Sequence, residues 1–123
     1  MANDIEIGKG EDKSIIFKIT DIDSLFLATD KLLFAMRRNV GENKFFLFSE
    51  EVLIGDITPE VVDGKNVYSF LVHITSELSR SFSGIYYYDL TLITANAEET
   101  PLMIPAKIII TGTIGASVEK AVE

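Results

Sequence analysis

A turn-rich stretch, Leu78-Ser79-Arg80-Ser81-Phe82-Ser83, runs directly into Gly84-Ile85-Tyr86-Tyr87-Tyr88-Asp89-Leu90. Successive side chains of an extended strand point to opposite faces, so Tyr86, Tyr88, Leu90 and Leu92 share one side and Tyr87 takes the other. In β-sandwiches a Tyr near the start of a late strand often returns its hydroxyl to the corner that precedes it. Tyr86, two residues after Gly84, stands in that position. Gly84, Tyr86 and Tyr88 are therefore expected to set the fold, with Tyr86 at the corner and Tyr88 in the core.

Strand signals recur along the rest of the chain. Residues 14–20 alternate, with Ile15, Phe17 and Ile19 on one face, and the acidic bend Asp21-Ile22-Asp23-Ser24 ends the run. Residues 31–38 place Leu32, Phe34 and Met36 inward, and turn residues around Gly41 follow. Phe45-Phe46-Leu47-Phe48 opens another strand, continued or followed by Val52-Leu53-Ile54. Asp63-Gly64 between apolar runs predicts a tight hairpin, because its backbone twist matches the strands it joins. The strand that follows puts Tyr68, Phe70, Val72 and Ile74 on one face. Thr75 can cap a single helical turn over residues 76–80. Pro105 breaks the last strand region, since it cannot donate to a ladder. Beyond it, Ala106, Ile108 and Ile110 alternate with Lys107, Ile109 and Thr111. Seven or eight short antiparallel strands joined by turns predict an all-β, immunoglobulin-like sandwich. It forms a single domain over residues 1–115, with a short tail at 116–123.

The composition narrows the function. With 47% hydrophobic and 24% charged residues, the chain can fill one core. A net charge of -8 disfavours nucleic acid, and Arg37-Arg38 is the one adjacent basic pair. There is no Cys, which excludes disulfides, zinc–thiolate sites and thiol nucleophiles. The start lacks the build of a secretory signal, and no apolar run is long enough to span a bilayer. The expectation is synthesis in the cytoplasm, without membrane insertion.

Three stretches, in order, resemble the immunoglobulin-like N-terminal domain of phage baseplate upper proteins and related small phage tail proteins. They are Gly10-Glu11-Asp12 before Ile15-Ile16-Phe17-Lys18-Ile19-Thr20, then Leu27-Ala28-Thr29-Asp30-Lys31-Leu32-Leu33-Phe34-Ala35-Met36-Arg37, then Ser83-Gly84-Ile85-Tyr86-Tyr87-Tyr88-Asp89-Leu90. The last resembles the family's Gly-x-Tyr-x-Tyr-Asp strand and is the most specific. The chain departs from the family at Glu11-Asp12 and across residues 43–60. Antibody-type domains match less well, because the inter-sheet Cys pair and the packing Trp are missing. The resemblance implies a non-enzymatic structural protein of the virion tail or baseplate. Such an adaptor or decoration subunit would bind other tail proteins and itself, as a symmetric homo-oligomer.

The residues themselves show no catalytic constellation. His73, the one His, is expected on an outward strand face with no second His or Cys to join it. The serines fit no nucleophile elbow. Glu50-Glu51 and Glu98-Glu99 are adjacent, so on strands they diverge instead of forming a hydrolytic pair. Asp21, Asp23 and Asp30 surround a loop and are the one calcium candidate, but they lack the Gly and terminal Glu of an EF-hand. No metal or other cofactor is therefore expected. Phe45, Phe46 and Phe48 are candidate interface residues, since alternation sends part of that run away from the core. Tyr87, Ile93 and Ile109 add a candidate outer surface on the last strands. The alternative to a tail subunit is a carbohydrate-binding or adhesive module, which would present exposed aromatics in a flat row.

Overall fold

The computed structural model describes residues 4–22, 25–39 and 47–111. The chain is an all-β sandwich of immunoglobulin-like form. Its strands are β1 (Ile5–Gly8), β2 (Lys13–Asp21), β3 (Lys31–Arg37), β4 (Phe48–Leu53), β5 (Glu60–Val62), β6 (Lys65–Ile74), β7 (Gly84–Ile93), β8 (Glu99–Pro101) and β9 (Ala106–Thr111). A five-residue helix, α1 (Ser76–Arg80), bridges β6 and β7, and a 3-10 turn spans Ile54–Asp56. The larger sheet has the order β1-β9-β7-β3-β4, with β8 paired to β7, and the smaller has the order β2-β6-β5.

Alternation decides what lies between the sheets. From the smaller sheet come Tyr68, Phe70, Val72 and Ile74 of β6, with Ile15, Phe17 and Ile19 of β2 partly buried beside them. The larger sheet contributes Leu32, Phe34 and Met36 of β3, the even residues Tyr86 to Leu92 of β7, and Ile108 and Ile110 of β9. Phe17 reaches across the interior, its ring centroid 5.8 Å from Phe34 and 5.7 Å from Tyr88, while Phe34 and Tyr88 stack at 5.4 Å. Aromatic pairs at such distances each add about 1 kcal/mol beyond the area they bury.

The local turns follow their chemistry. Asp63 (φ 53°) and Gly64 (φ 78°) both take positive φ, the two-residue turn that matches strand twist. The Thr75 hydroxyl accepts the Leu78 N–H at 3.1 Å and caps α1. Gly84 opens β7 at φ 108°, a conformation costly for any other residue. The Tyr86 hydroxyl donates to the Ser83 carbonyl at 2.8 Å and accepts the Ser83 N–H at 3.1 Å, closing the corner. The Phe82 ring meets Tyr86 edge-on at 5.5 Å, and Arg38 lies over it at 5.4 Å.

Two features differ from the sequence pattern, and a third decides between alternatives it left open. β1 is an additional strand that pairs in parallel with β9 and buries Ile7 completely; Ile5-Glu6-Ile7 is too short a run to show periodicity. The last region divides into β8 and β9 around Pro105, and β8 pairs with the end of β7. Among the described residues β4 begins at Phe48 and continues unbroken to Leu53, so Val52 and Leu53 belong to the same strand.

Ser79 is fully buried and ties α1 to the β1–β2 connection. Its hydroxyl accepts the Gly10 N–H at 3.0 Å and donates to the Glu11 carbonyl at 2.8 Å. Ser79→Ala strands both backbone groups and should cost about 1–3 kcal/mol in urea denaturation. Tyr86→Phe, which removes the corner bonds but keeps the ring, should cost about 1–2 kcal/mol.

Burial holds the Tyr88 phenol above its ordinary value of 10.0, and the Asp4 carboxylate pushes it further in the same direction. The folded chain thus keeps a proton that the unfolded chain begins to release near pH 10. This contribution is complete below that pH and is lost as the pH rises through the folded value. Denaturation from about pH 8 to about pH 11 should show stability falling at the alkaline end, and Tyr88→Phe should flatten that fall.

Candidate functional site

The outward face of the larger sheet is the surface that the Tyr triplet leaves open. Register across β9, β7 and β3 assembles it in rows: Glu6, Ile109 and Ile85; then Lys107, Tyr87 and Arg37; then Asp89 and Ala35; then Thr91 and Leu33; then Ile93 and Lys31. Ile85 is 53% exposed, whereas Tyr87 and Ile109 are half-buried.

Near the centre, Arg37 Nη1 donates to Asp89 Oδ2 at 2.8 Å across β3 and β7. The two side chains are 13% and 21% exposed, so this pair is far drier than a typical surface bridge. The second Asp89 oxygen is buried and has no hydrogen-bond partner among the described residues. Further along the face, Lys31 and Glu51 form a solvated bridge at 3.2 Å.

Next to Tyr87 lies a groove of about 590 Å³ lined by Asp4, Met103, Ile104, Pro105, Ala106 and Lys107. Ile104 is 85% exposed, the most exposed large apolar side chain among the described residues. The Lys107 N–H donates to Asp4 Oδ1 at 3.1 Å, which fixes the chain entering β1 against β9. Ile85, Tyr87 and Ile109 are thus neighbours by register, with Glu6, Lys107 and Arg37 beside them, and Ile104 shares the adjoining groove with Tyr87 and Asp4. An apolar centre with a charged rim is the anatomy of a protein contact.

The expected surface residues do not all gather there. Tyr87 and Ile109 do; Ile93 is six residues further along β7, roughly 20 Å away at strand rise, between Lys31 and Glu99. Phe48 faces the core side of β4, opposite Met36, with its ring 6.0 Å from Phe34. Phe45 and Phe46 lie outside the described residues. Ile104 is a member that periodicity does not reveal, because it sits in an irregular segment. The available signal was the run Leu102-Met103-Ile104 stopping at Pro105.

The ionisable residues singled out from the sequence are dispersed. His73 is exposed on β6 and meets Asp12 at 2.6 Å. Asp21 is buried and accepts the N–H groups of Leu25 and Phe26, at 2.8 and 3.0 Å. Asp30, also buried, accepts the Leu27 N–H at 3.0 Å. Both carboxylates hold the β2–β3 loop in shape; Asp23 lies outside the described residues. No group of three or more His, Asp or Glu able to hold a metal ion occurs among the described residues, and no helix among them is long and apolar enough to cross a membrane.

The chain matches no protein-family model, no curated protein and no solved structure. The assignment of function therefore rests on its own surface.

Arg37→Leu and Asp89→Leu should each destabilise the fold by roughly 2 kcal/mol, since each breaks this largely buried pair. The double variant should recover at least about 1 kcal/mol of the summed loss, and a double-mutant cycle by urea denaturation measures it.

Proposed function

We propose that this protein is a structural subunit of a phage or prophage tail or baseplate, acting through protein–protein contacts and not through catalysis. The observation that carries the reading is the apolar surface of Ile85, Tyr87 and Ile109, with exposed Ile104 in the groove beside Tyr87 and charged residues around them, on the outward face of a sandwich packed with aromatic rings. The ion pairs among the described residues also support the reading: Arg37–Asp89, Lys31–Glu51 and His73–Asp12 lie apart and share no groove there. The Gly84-x-Tyr86-x-Tyr88-Asp89 strand favours the tail family within the immunoglobulin-like sandwiches. A docking patch of this kind holds a neighbouring subunit at a fixed angle, and repetition around an axis gives a ring.

Mass spectrometry of intact particles, purified after prophage induction in the source organism, tests the assignment. The expected result is this protein in the tail fraction at several copies per particle; well-formed particles without it, in cells that express it, would refute a tail role. Ile85→Arg combined with Ile109→Arg should lower incorporation about thirtyfold or more, the effect of losing a central contact of about 2 kcal/mol. Melting of the isolated variant should stay close to the parent. A glycan-array signal that disappears in Tyr87→Ala would instead support the adhesive reading.

A further inference from the structure

The smaller sheet ends at β2, nine residues long and paired on one side alone, to β6. None of the remaining backbone hydrogen bonds among the described residues involves Lys13–Thr20. Each second N–H and C=O along this edge therefore points away from the sheet. An open edge is a template for another strand, and proteins that do not use one usually cover or interrupt it. Here nothing among the described residues covers it.

Beside this edge the two sheets part. A groove of about 630 Å³ runs along Ile16–Thr20, with Phe26, Tyr88, Leu90 and Leu102 among its walls. It exists because β9 pairs with β7 only as far as Tyr88, and β8 takes over at Thr91. Between those points the edge of β7 is left without a neighbour over Asp89 and Leu90, although Leu90 O accepts the Leu102 N–H at 2.9 Å. The groove's walls combine apolar side chains with the polar backbone of the strand edge, and the one charged residue among its lining is Lys18. Lys18 is exposed on the outer side of β2, opposite Ser69, and forms no ion pair among the described residues.

We propose that this edge accepts a single extended strand donated by another polypeptide, which completes the smaller sheet as its fourth strand. The donor alternates apolar residues, whose side chains enter the groove over Tyr88, Leu90 and Leu102. Between them, facing solvent, it carries a carboxylate opposite Lys18. Main-chain hydrogen bonds supply the affinity of such strand addition, and side-chain pockets at alternate positions supply its selectivity. An opposite-charge cross-strand pair sets the register. A single strand fits better than a second copy of the sandwich. Edge-to-edge pairing of two β2 strands centred on Phe17 would put Lys18 opposite Ile16, and centred on Lys18 would put it opposite its own copy. The proposal goes beyond the tail assignment and does not depend on it, because it concerns a different edge of the molecule.

The test is selection of a displayed library of random nine-residue peptides against the whole protein, repeated with Lys18→Glu. Enrichment of peptides with apolar residues at every second position and Asp or Glu between them is expected. With Lys18→Glu the acidic preference should give way to Lys or Arg, and a synthetic copy of the best acidic peptide should bind about threefold more weakly, as an exposed ion pair predicts. Hydrogen exchange of the amides in Ile16–Thr20 should slow when that peptide is added, while amides in β4 keep their rates. Peptides with no alternation, an unchanged preference in Lys18→Glu, or protection that falls elsewhere would overturn the proposal. So would sedimentation showing a dimer that the peptide does not dissociate. Lys18 is exposed, so loss of folding does not confound the variant, and melting by circular dichroism verifies this. Failure here leaves the particle experiment unaffected, so the two readings stand or fall separately.

Discussion

Phe17, Phe34 and Tyr88 hold the two sheets together. Phe17 is the one ring of β2 that crosses to the larger sheet, and it lands on a stacked pair from β3 and β7. Sheet-on-sheet packing leaves a layer about 10 Å thick that side chains from both faces must fill. Three aromatic rings fill much of it at the middle of the sandwich, and the aliphatic residues Leu32, Ile74, Ile108 and Ile110 close it around them. The position of Tyr88 in turn depends on the corner at Gly84 and Tyr86, because a shift of one residue in β7 would turn the whole strand inside out. The Tyr86 hydroxyl bonds to Ser83 thus protect the register of the core as well as the shape of a turn.

That same register creates the outer surface. With Tyr86 and Tyr88 committed inward, Ile85 and Tyr87 must face outward, where β9 brings Ile109 alongside. The Arg37–Asp89 pair, placed on the outer face by the same alternation, bridges β3 and β7 beside the apolar cluster. Core and candidate contact surface are therefore two readings of one strand.

Much of this was legible because strand periodicity is a strong signal wherever a strand is long and one face is buried. The alternation in residues 14–20 and 84–92, the Asp63-Gly64 turn and the Thr75 cap all correspond to elements of the fold. Short or irregular elements carry no such signal. Four residues are too few to mark β1, whose partner β9 lies some hundred positions away. Ile104 follows no period, so its exposure depends on a loop path that local rules do not specify. Among the serines, Ser79 looks like any other polar residue of a turn. Its burial follows from α1 folding over Gly10 and Glu11, a contact between segments 68 and 69 residues apart. The outward pair of Arg37 and Asp89 was equally hidden, because register across strands and not sequence proximity joins them.

The parallel pairing of β1 with β9 has a mechanical consequence. Ile5 lies beside Ile108 and Gly8 beside Thr111, so the chain enters the pair at one end and leaves it at the other. A pull applied through the residues flanking these strands drags them past each other along their length. The backbone bonds of the ladder then share the force and must yield together, as a lap joint does, whereas a hairpin pulled from its open end parts one bond at a time. β1 and β9 are arranged to carry tension.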